Sequence, residues 1–140
     1  MKLVVDANVF ISALIGGKAA ELLFNPNLEL LTTERTTWEV KKYLPELAVY
    51  IEKSPADLLL LFELIPVRAW QSKEYDSSLS KAEHSIGDRD PHDVDILALT
   101  LETGAPLWSN DSDFEEIEKI TLLKTKDIID LIRFFKSLTI

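Results

Sequence analysis

Five short apolar runs recur along the chain, at Lys2–Val5, Leu28–Leu31, Pro66–Trp70, Ala105–Ser109 and Ile120–Lys124, and helical or turn-like stretches separate them. Runs this short and this apolar suit strands buried on both faces. Strands joined through helices pair in parallel, and right-handed crossovers then place helices on both sides of the sheet. The expected fold is α/β: a three-layer α/β/α sandwich around a mostly parallel five-stranded sheet. The chain has 140 residues, 46% of them hydrophobic, so a single domain spanning 1–140 can bury its own core. Neither a repeat, a linker nor a low-complexity tract interrupts it.

Local signals set the intervening elements. Asn8 is a cap for the helical VFISALI, and Lys18–Phe24 reads as a second helix stopped by Asn25-Pro26. Thr32 or Thr33 caps a helix carrying Arg35, Glu39 and Tyr43, and Pro45 begins or kinks a helix running to Lys53. Ser54-Pro55-Ala56-Asp57 is a strong helix start, with a capping Ser, Pro at the first position and an acid at the third. The LLLLFELI that follows reads as a largely buried helix. A polar amphipathic helix is expected over Ser72–Ile86, closed by Gly87, then a turn at Asp88-Arg89-Asp90-Pro91. Asp93–Thr103 is helical with Gly104 as its left-handed terminator, Phe114–Glu118 is a short helix, and Lys126–Leu138 is a closing amphipathic helix. Trp38, Trp70 and Trp108 are expected to pack in or near the core, with base stacking as the other use of Trp38 beside Glu39, and the apolar segments around Leu58–Phe62 and Phe134-Phe135 are expected to be mostly core, with a two-fold interface as their other use.

Acidic residues fall where strands meet helices: Asp6 in LVVDANVF, Glu39 in TTWEV, Asp93 in RDPHDVDILALT, and Asp111 and Asp113 in LWSNDSDF. In an open parallel sheet the ligand crevice lies beyond the carboxyl ends of the strands, where strand order reverses. Asp6 follows the first strand and Asp111 the fourth, so neighbouring first and fourth strands would gather the acids. Carboxylates so gathered repel one another, and a divalent cation relieves the repulsion. Donors that are all oxygen favour Mg²⁺ or Mn²⁺ over zinc or copper. Each acid also has an ordinary structural use. Asp6 and Asp93 can serve helix N-termini, Glu39 can pair with Arg35 one turn away, and Asp111-Ser112-Asp113 can be a turn and cap.

The chain contains no cysteine, which removes disulfides, zinc–thiolate sites and thiol catalysis and permits a reducing compartment; cytoplasm is the default expectation. MKLVVDANVF is too short an apolar stretch for a secretory leader, and no run is long enough to span a membrane. The net charge of −9 argues against a generic nucleic-acid binder. Metal ions at the acids would offset part of it, and Lys41, Lys42, Lys119, Lys124, Lys126, Arg133 and Lys136 are either solvated helix faces or a local basic stripe.

The order DANVF, TTWEV, DPHDVDILALTLETGAPLWSNDSDF resembles the PIN domain, the fold of many RNA-cleaving nucleases including VapC-type toxins. The similarity spans nearly the whole chain and is most specific in its second half. It implies a Mg²⁺- or Mn²⁺-dependent ribonuclease, often dimeric, with Asp6, Glu39, Asp93 and Asp111 or Asp113 at the metal. Asn8 and Ser109 would then orient the carboxylates through hydrogen bonds. A toxin would have RNA as substrate and a small antitoxin protein as partner. One departure stands out: where many relatives have two adjacent acids before the third-motif helix, this chain has His92-Asp93, leaving Asp90 as an outer acid. His92 reads as a substrate contact or an exposed turn residue. A catalytically silent module that binds RNA or protein is the alternative from another class. A phosphatase using Asp6 as nucleophile fits less well, because Asn8 stands where such sites offer a second acid.

Overall fold

The computed structural model describes residues 1–87 and 90–138. In chain order the regular elements are β1 (Lys2–Val5), α1 (Ala7–Leu14), α2 (Ala19–Leu23), β2 (Glu29–Thr33), α3 (Glu34–Tyr50), α4 (Pro55–Leu64), β3 (Val67–Trp70), α5 (Leu79–Ala82), α6 (Val94–Thr103), β4 (Leu107–Trp108), β5 (Leu122–Leu123) and α7 (Thr125–Leu138). The sheet runs β3-β2-β1-β4-β5, and its pairings are all parallel. Strand order reverses between β1 and β4, which lie side by side with Val5 opposite Trp108.

Successive residues of a strand point to opposite faces, so a central strand splits its side chains between two cores. β1 does so: Leu3 and Val5 join the core that holds α1, α3 and α4, whereas Val4 joins the one beneath α6. Leu30 and Leu31 on β2 divide the same way, as do Trp108 and Leu107 on β4. Burial on both faces explains why these strands read as continuous apolar runs. Phe10 meets Phe62 edge to face at 5.3 Å and ties α1 to α4.

Several local expectations hold. Thr33 caps α3 by accepting from Thr36 N at 2.9 Å, and Ser54 caps α4 with Pro55 at its first position. Gly104 ends α6 at φ +68°, a conformation that glycine adopts without steric cost.

Others are corrected. Asp6, not Asn8, caps α1, because its carboxylate accepts from Ala7 N at 2.8 Å. Of the two expectations for Pro45, a helix start is excluded, because Pro45 lies inside α3, which ends at Tyr50. Ser72–Ile86 is not one helix but two 3₁₀ turns, the single turn α5 and a π-helical segment at Glu83–Gly87. The buried Tyr75 pins this segment by donating to Asp95 at 2.6 Å. Phe114–Glu118 is replaced by a 3₁₀ turn at Ser112–Phe114. α4 buries Leu58 and Phe62 but exposes Leu59, Leu60, Leu61 and Leu64. Trp108 is fully buried, whereas Trp38, Phe134 and Phe135 are exposed. Asp88 and Arg89 of the expected turn lie outside the described residues.

Candidate metal centre

The site begins with the register of β1 and β4. Because Val5 stands opposite Trp108, the next residue of each strand, Asp6 and Ser109, emerges at the carboxyl edge beside its neighbour. Ser109 donates to Asp6 Oδ2 at 2.8 Å, and both residues are buried. Asn8 Nδ2 reaches the same Oδ2 and also Ser109 Oγ, each at 3.1 Å. With Ala7 N on Oδ1, the Asp6 carboxylate is held by backbone and by two side chains. Such neighbours fix the direction in which a ligand's free lone pairs point.

Asp93 arrives from the opposite side of the crevice. A 3₁₀ turn at Pro91–Asp93, capped by Asp90 accepting from His92 N at 3.0 Å, delivers it to the start of α6. Among the described residues its buried Oδ2 has no hydrogen-bond partner. Asp111 follows β4, and its backbone N–H donates to Ser109 Oγ at 3.1 Å. Asp111 Oδ1 in turn accepts from Asp113 N at 2.9 Å. Carboxylate oxygens of Asp6, Asp93 and Asp111 lie within 4.8 Å of one another, and so do those of Asp90, Asp93 and Asp113. Asp93 is common to both groups.

Glu39 stands apart from these two groups. It lies on α3 and pairs with Arg35 Nε at 3.2 Å, the i to i+4 contact that its sequence position allows. Its charge nevertheless reaches Asp6.

The electrostatics record crowding. Burial pushes the Asp6 carboxyl up to about 6, against the lowering effect of the Ser109 and Ala7 hydrogen bonds, and the charges of Asp111 and Glu39 push it further. Asp93 rises to about 8, through burial first and then the negative charges of Asp6 and Asp90. A cluster that resists ionisation and carries an unpartnered buried oxygen fits a hard divalent cation, since the ion supplies the missing positive charge and accepts oxygen donors only.

Asn110 and Thr125 escaped sequence reasoning. Asn110 N donates to Asn8 Oδ1 at 3.2 Å, while its side chain exchanges hydrogen bonds with the backbone and hydroxyl of Thr125 at 3.1 and 3.2 Å. Trp108 Nε1 also donates to Thr125 Oγ1, at 3.1 Å. Together they lock β4 and the start of α7 onto α1, behind the acids. The signal was present in Ser109-Asn110-Asp111, but only the fold could supply Thr125 as partner.

The sequence profile of the PIN domain matches residues 4–126. No curated protein sequence matches the chain significantly. Among solved structures, a chain from the crystal structure of VapBC2 from Rickettsia felis, bound to a DNA fragment from their promoter, superposes with a TM-score of 0.70. The match covers 89% of this chain and 98% of that one at 14% sequence identity, a level at which the likeness speaks for the fold. A parallel sheet reversing at β1 and β4, acids gathered at that reversal and a profile running from β1 into α7 lead to one assignment: the chain belongs to the PIN domain family.

Proposed function

We propose that the protein is a Mg²⁺- or Mn²⁺-dependent endoribonuclease that hydrolyses RNA phosphodiesters at the crevice between β1 and β4. The observation that carries this reading is the convergence of Asp6, Asp93 and Asp111, with Asp93 Oδ2 buried and without a partner among the described residues. Asp6, Asp93 and Asp111 would hold the cation, with Asp90 and Asp113 beside a second position and Glu39 reaching in from α3. When bound, the cation polarises a phosphoryl oxygen and lowers the pKa of a coordinated water. The chain's own contribution is positional. Ser109 and Asn8 keep the Asp6 carboxylate ionised and aimed, Ala7 N holds its other oxygen, and the Asp90-capped turn fixes Asp93. Hydrolysis then forms a bond from water oxygen to phosphorus, breaks the bridging P–O bond and returns a proton to the departing ribose oxygen.

The test is cleavage of a broad panel of single-stranded and structured RNAs with Mg²⁺ and with Mn²⁺. Asp6→Asn, Glu39→Gln and Asp93→Asn are each expected to abolish cleavage while the fold persists. Intact RNA across the wild-type panel would overturn the assignment, and a wild-type rate in Glu39→Gln would remove Glu39 alone.

The VapC-like features of the sequence and the fold shared with the VapBC2 chain support a toxin role, with a small antitoxin protein as partner and the cytoplasm as its place of action. The apolar surface left on the α3–α4 hairpin, where Val49 and Tyr50 are more than four-fifths exposed and Leu60 and Leu64 more than half, supports homodimerisation. Light scattering checks this, and a monomer at all concentrations would rule it out. A second reading is a catalytically silent PIN-like module that binds RNA or protein. The net charge of −9 and His92 in place of an acid favour it. Calorimetric titration separates the two, since absence of binding at millimolar Mg²⁺ or Mn²⁺ selects the silent module. Among the described residues no helix is long and apolar enough to cross a membrane.

A further inference from the structure

Trp38 stands one residue before Glu39 on α3, and the fold leaves it 54% exposed. An exposed indole loses the hydration advantage of burial, so its surroundings indicate its use. Two cations bracket it along the helix. The Arg35 guanidinium lies 5.5 Å from the ring centroid and Lys42 Nζ 4.9 Å. The three side chains share a recess of about 450 Å³ with Tyr43, His92 and two acids, Glu46 and the Glu39 that pairs with Arg35. His92 belongs to the Pro91–Asp93 turn that delivers Asp93, so one wall of the recess is the residue next to a candidate metal ligand.

We propose that Trp38 is a base-stacking platform for the single-stranded RNA whose backbone reaches the acidic centre, with Arg35 and Lys42 taking its flanking phosphates. The proposal rests on the nuclease reading of that centre and adds to it a site that holds substrate. Single strands bind where a positive groove follows the backbone and aromatic faces receive the bases. Trp38 supplies the aromatic face and Arg35 and Lys42 the cations, and Glu39, the acid assigned to the metal in the proposed function, would release Arg35 on turning to the cation. Arg35 and Lys42 reach the ring from the preceding and following turns of α3 on long flexible stems. They can swing to phosphate as a base takes the ring face, and a guanidinium plane also stacks on bases. A protein surface covering Trp38 would use the indole as an apolar anchor with no need of the two cations. Their presence favours RNA.

The experiment measures two things on the same strands. Binding of labelled uridine-rich and adenine-rich oligoribonucleotides is followed by anisotropy and by tryptophan quenching in Ca²⁺, and cleavage is followed in Mn²⁺. Trp38→Ala is expected to weaken binding roughly ten- to a hundred-fold, the worth of one base–aromatic stack. Trp38→Phe should keep most of the affinity, and the quenching seen in the wild type should fall sharply in it, because of the two remaining tryptophans Trp108 is wholly buried and Trp70 half-buried on β3. Tyr50→Ala, at an aromatic even more exposed at the other end of α3, should bind as the wild type does. Unchanged affinity in Trp38→Ala overturns the proposal, whatever the cleavage result, and leaves this face to a protein partner. An equal loss in Tyr50→Ala overturns it too, and so does a wild-type protein that binds none of the strands. Loss of binding in Trp38→Ala together with a wild type that never cleaves keeps the platform and removes the nuclease.

Discussion

At the residue scale, Asp6 and Asp93 are the same functional group in two different states of support. Asp6 accepts from Ala7 N, Ser109 and Asn8, and those donors hold its pKa near 6 despite burial. Asp93 Oδ2 has no partner among the described residues, and burial pushes its carboxyl up to about 8. An unsupported buried carboxylate costs stability unless a cation completes it. Asp93→Asn is therefore expected to raise the melting temperature in EDTA by a few degrees. It should also abolish the further rise that Mn²⁺ gives the wild type, as thermal denaturation would read. A variant that melts lower in EDTA and still gains from Mn²⁺ would contradict this account of Asp93. Ser109→Ala tests the opposite case. It removes one buried donor to Asp6 without touching a ligand atom, and Mn²⁺ affinity should fall roughly ten- to a hundred-fold, measured by calorimetry. Unchanged affinity would mean that Asn8 and Ala7 N suffice to orient Asp6.

At the element scale, what was legible came from chemistry confined to a few neighbouring residues. Thr33 and Ser54 capped the helices they precede, and Gly104 ended α6, because a cap is completed within one turn. Gly104→Ala makes a clean check: its φ of +68° is unfavourable for any side chain, yet nothing lies within 4 Å of an added Cβ. The cost is the backbone conformation alone, roughly 1 kcal/mol or slightly more, lowering the melting temperature by about 2–4 °C without affecting Mn²⁺ binding. What was not legible depended on distant partners. Ser72–Ile86 has helical periodicity, yet Tyr75 must reach Asp95 on α6, and the chain breaks into short turns to let it. The five leucines of α4 read as core, but a helix packed on one side buries one stripe, and the neighbours that leave the rest exposed are not written in LLLLFELI. For the same reason Asp93 was visible as an acid at a helix start, whereas its lack of a partner appeared only when β1, β4 and the Pro91–Asp93 turn met.

At the scale of the whole molecule, the fold concentrates negative charge at the one place where its strands diverge, and pH should show the consequence. In the metal-free protein the folded-state pKa values of Asp6, about 6, and Asp93, about 8, both exceed the ordinary 3.8. A raised pKa means that the folded state binds the proton more tightly than the unfolded chain. The stability these two protonated groups contribute is fully present below about pH 4 and is lost as pH climbs through 6 and then 8. A divalent cation has the reverse preference, because it binds the deprotonated carboxylates and is displaced by protons. The gain in melting temperature on adding Mn²⁺ should consequently be small at pH 5.5 and increase up to about pH 8.5, while the metal-free protein loses stability over the same interval. Binding near pH 7 should also release protons, so the calorimetric enthalpy should vary with the ionisation enthalpy of the buffer. A thermal shift that is flat across this range, with an enthalpy indifferent to buffer, would mean that Asp93 is already ionised before the metal arrives. The crowding that makes the crevice a cation site would then be absent.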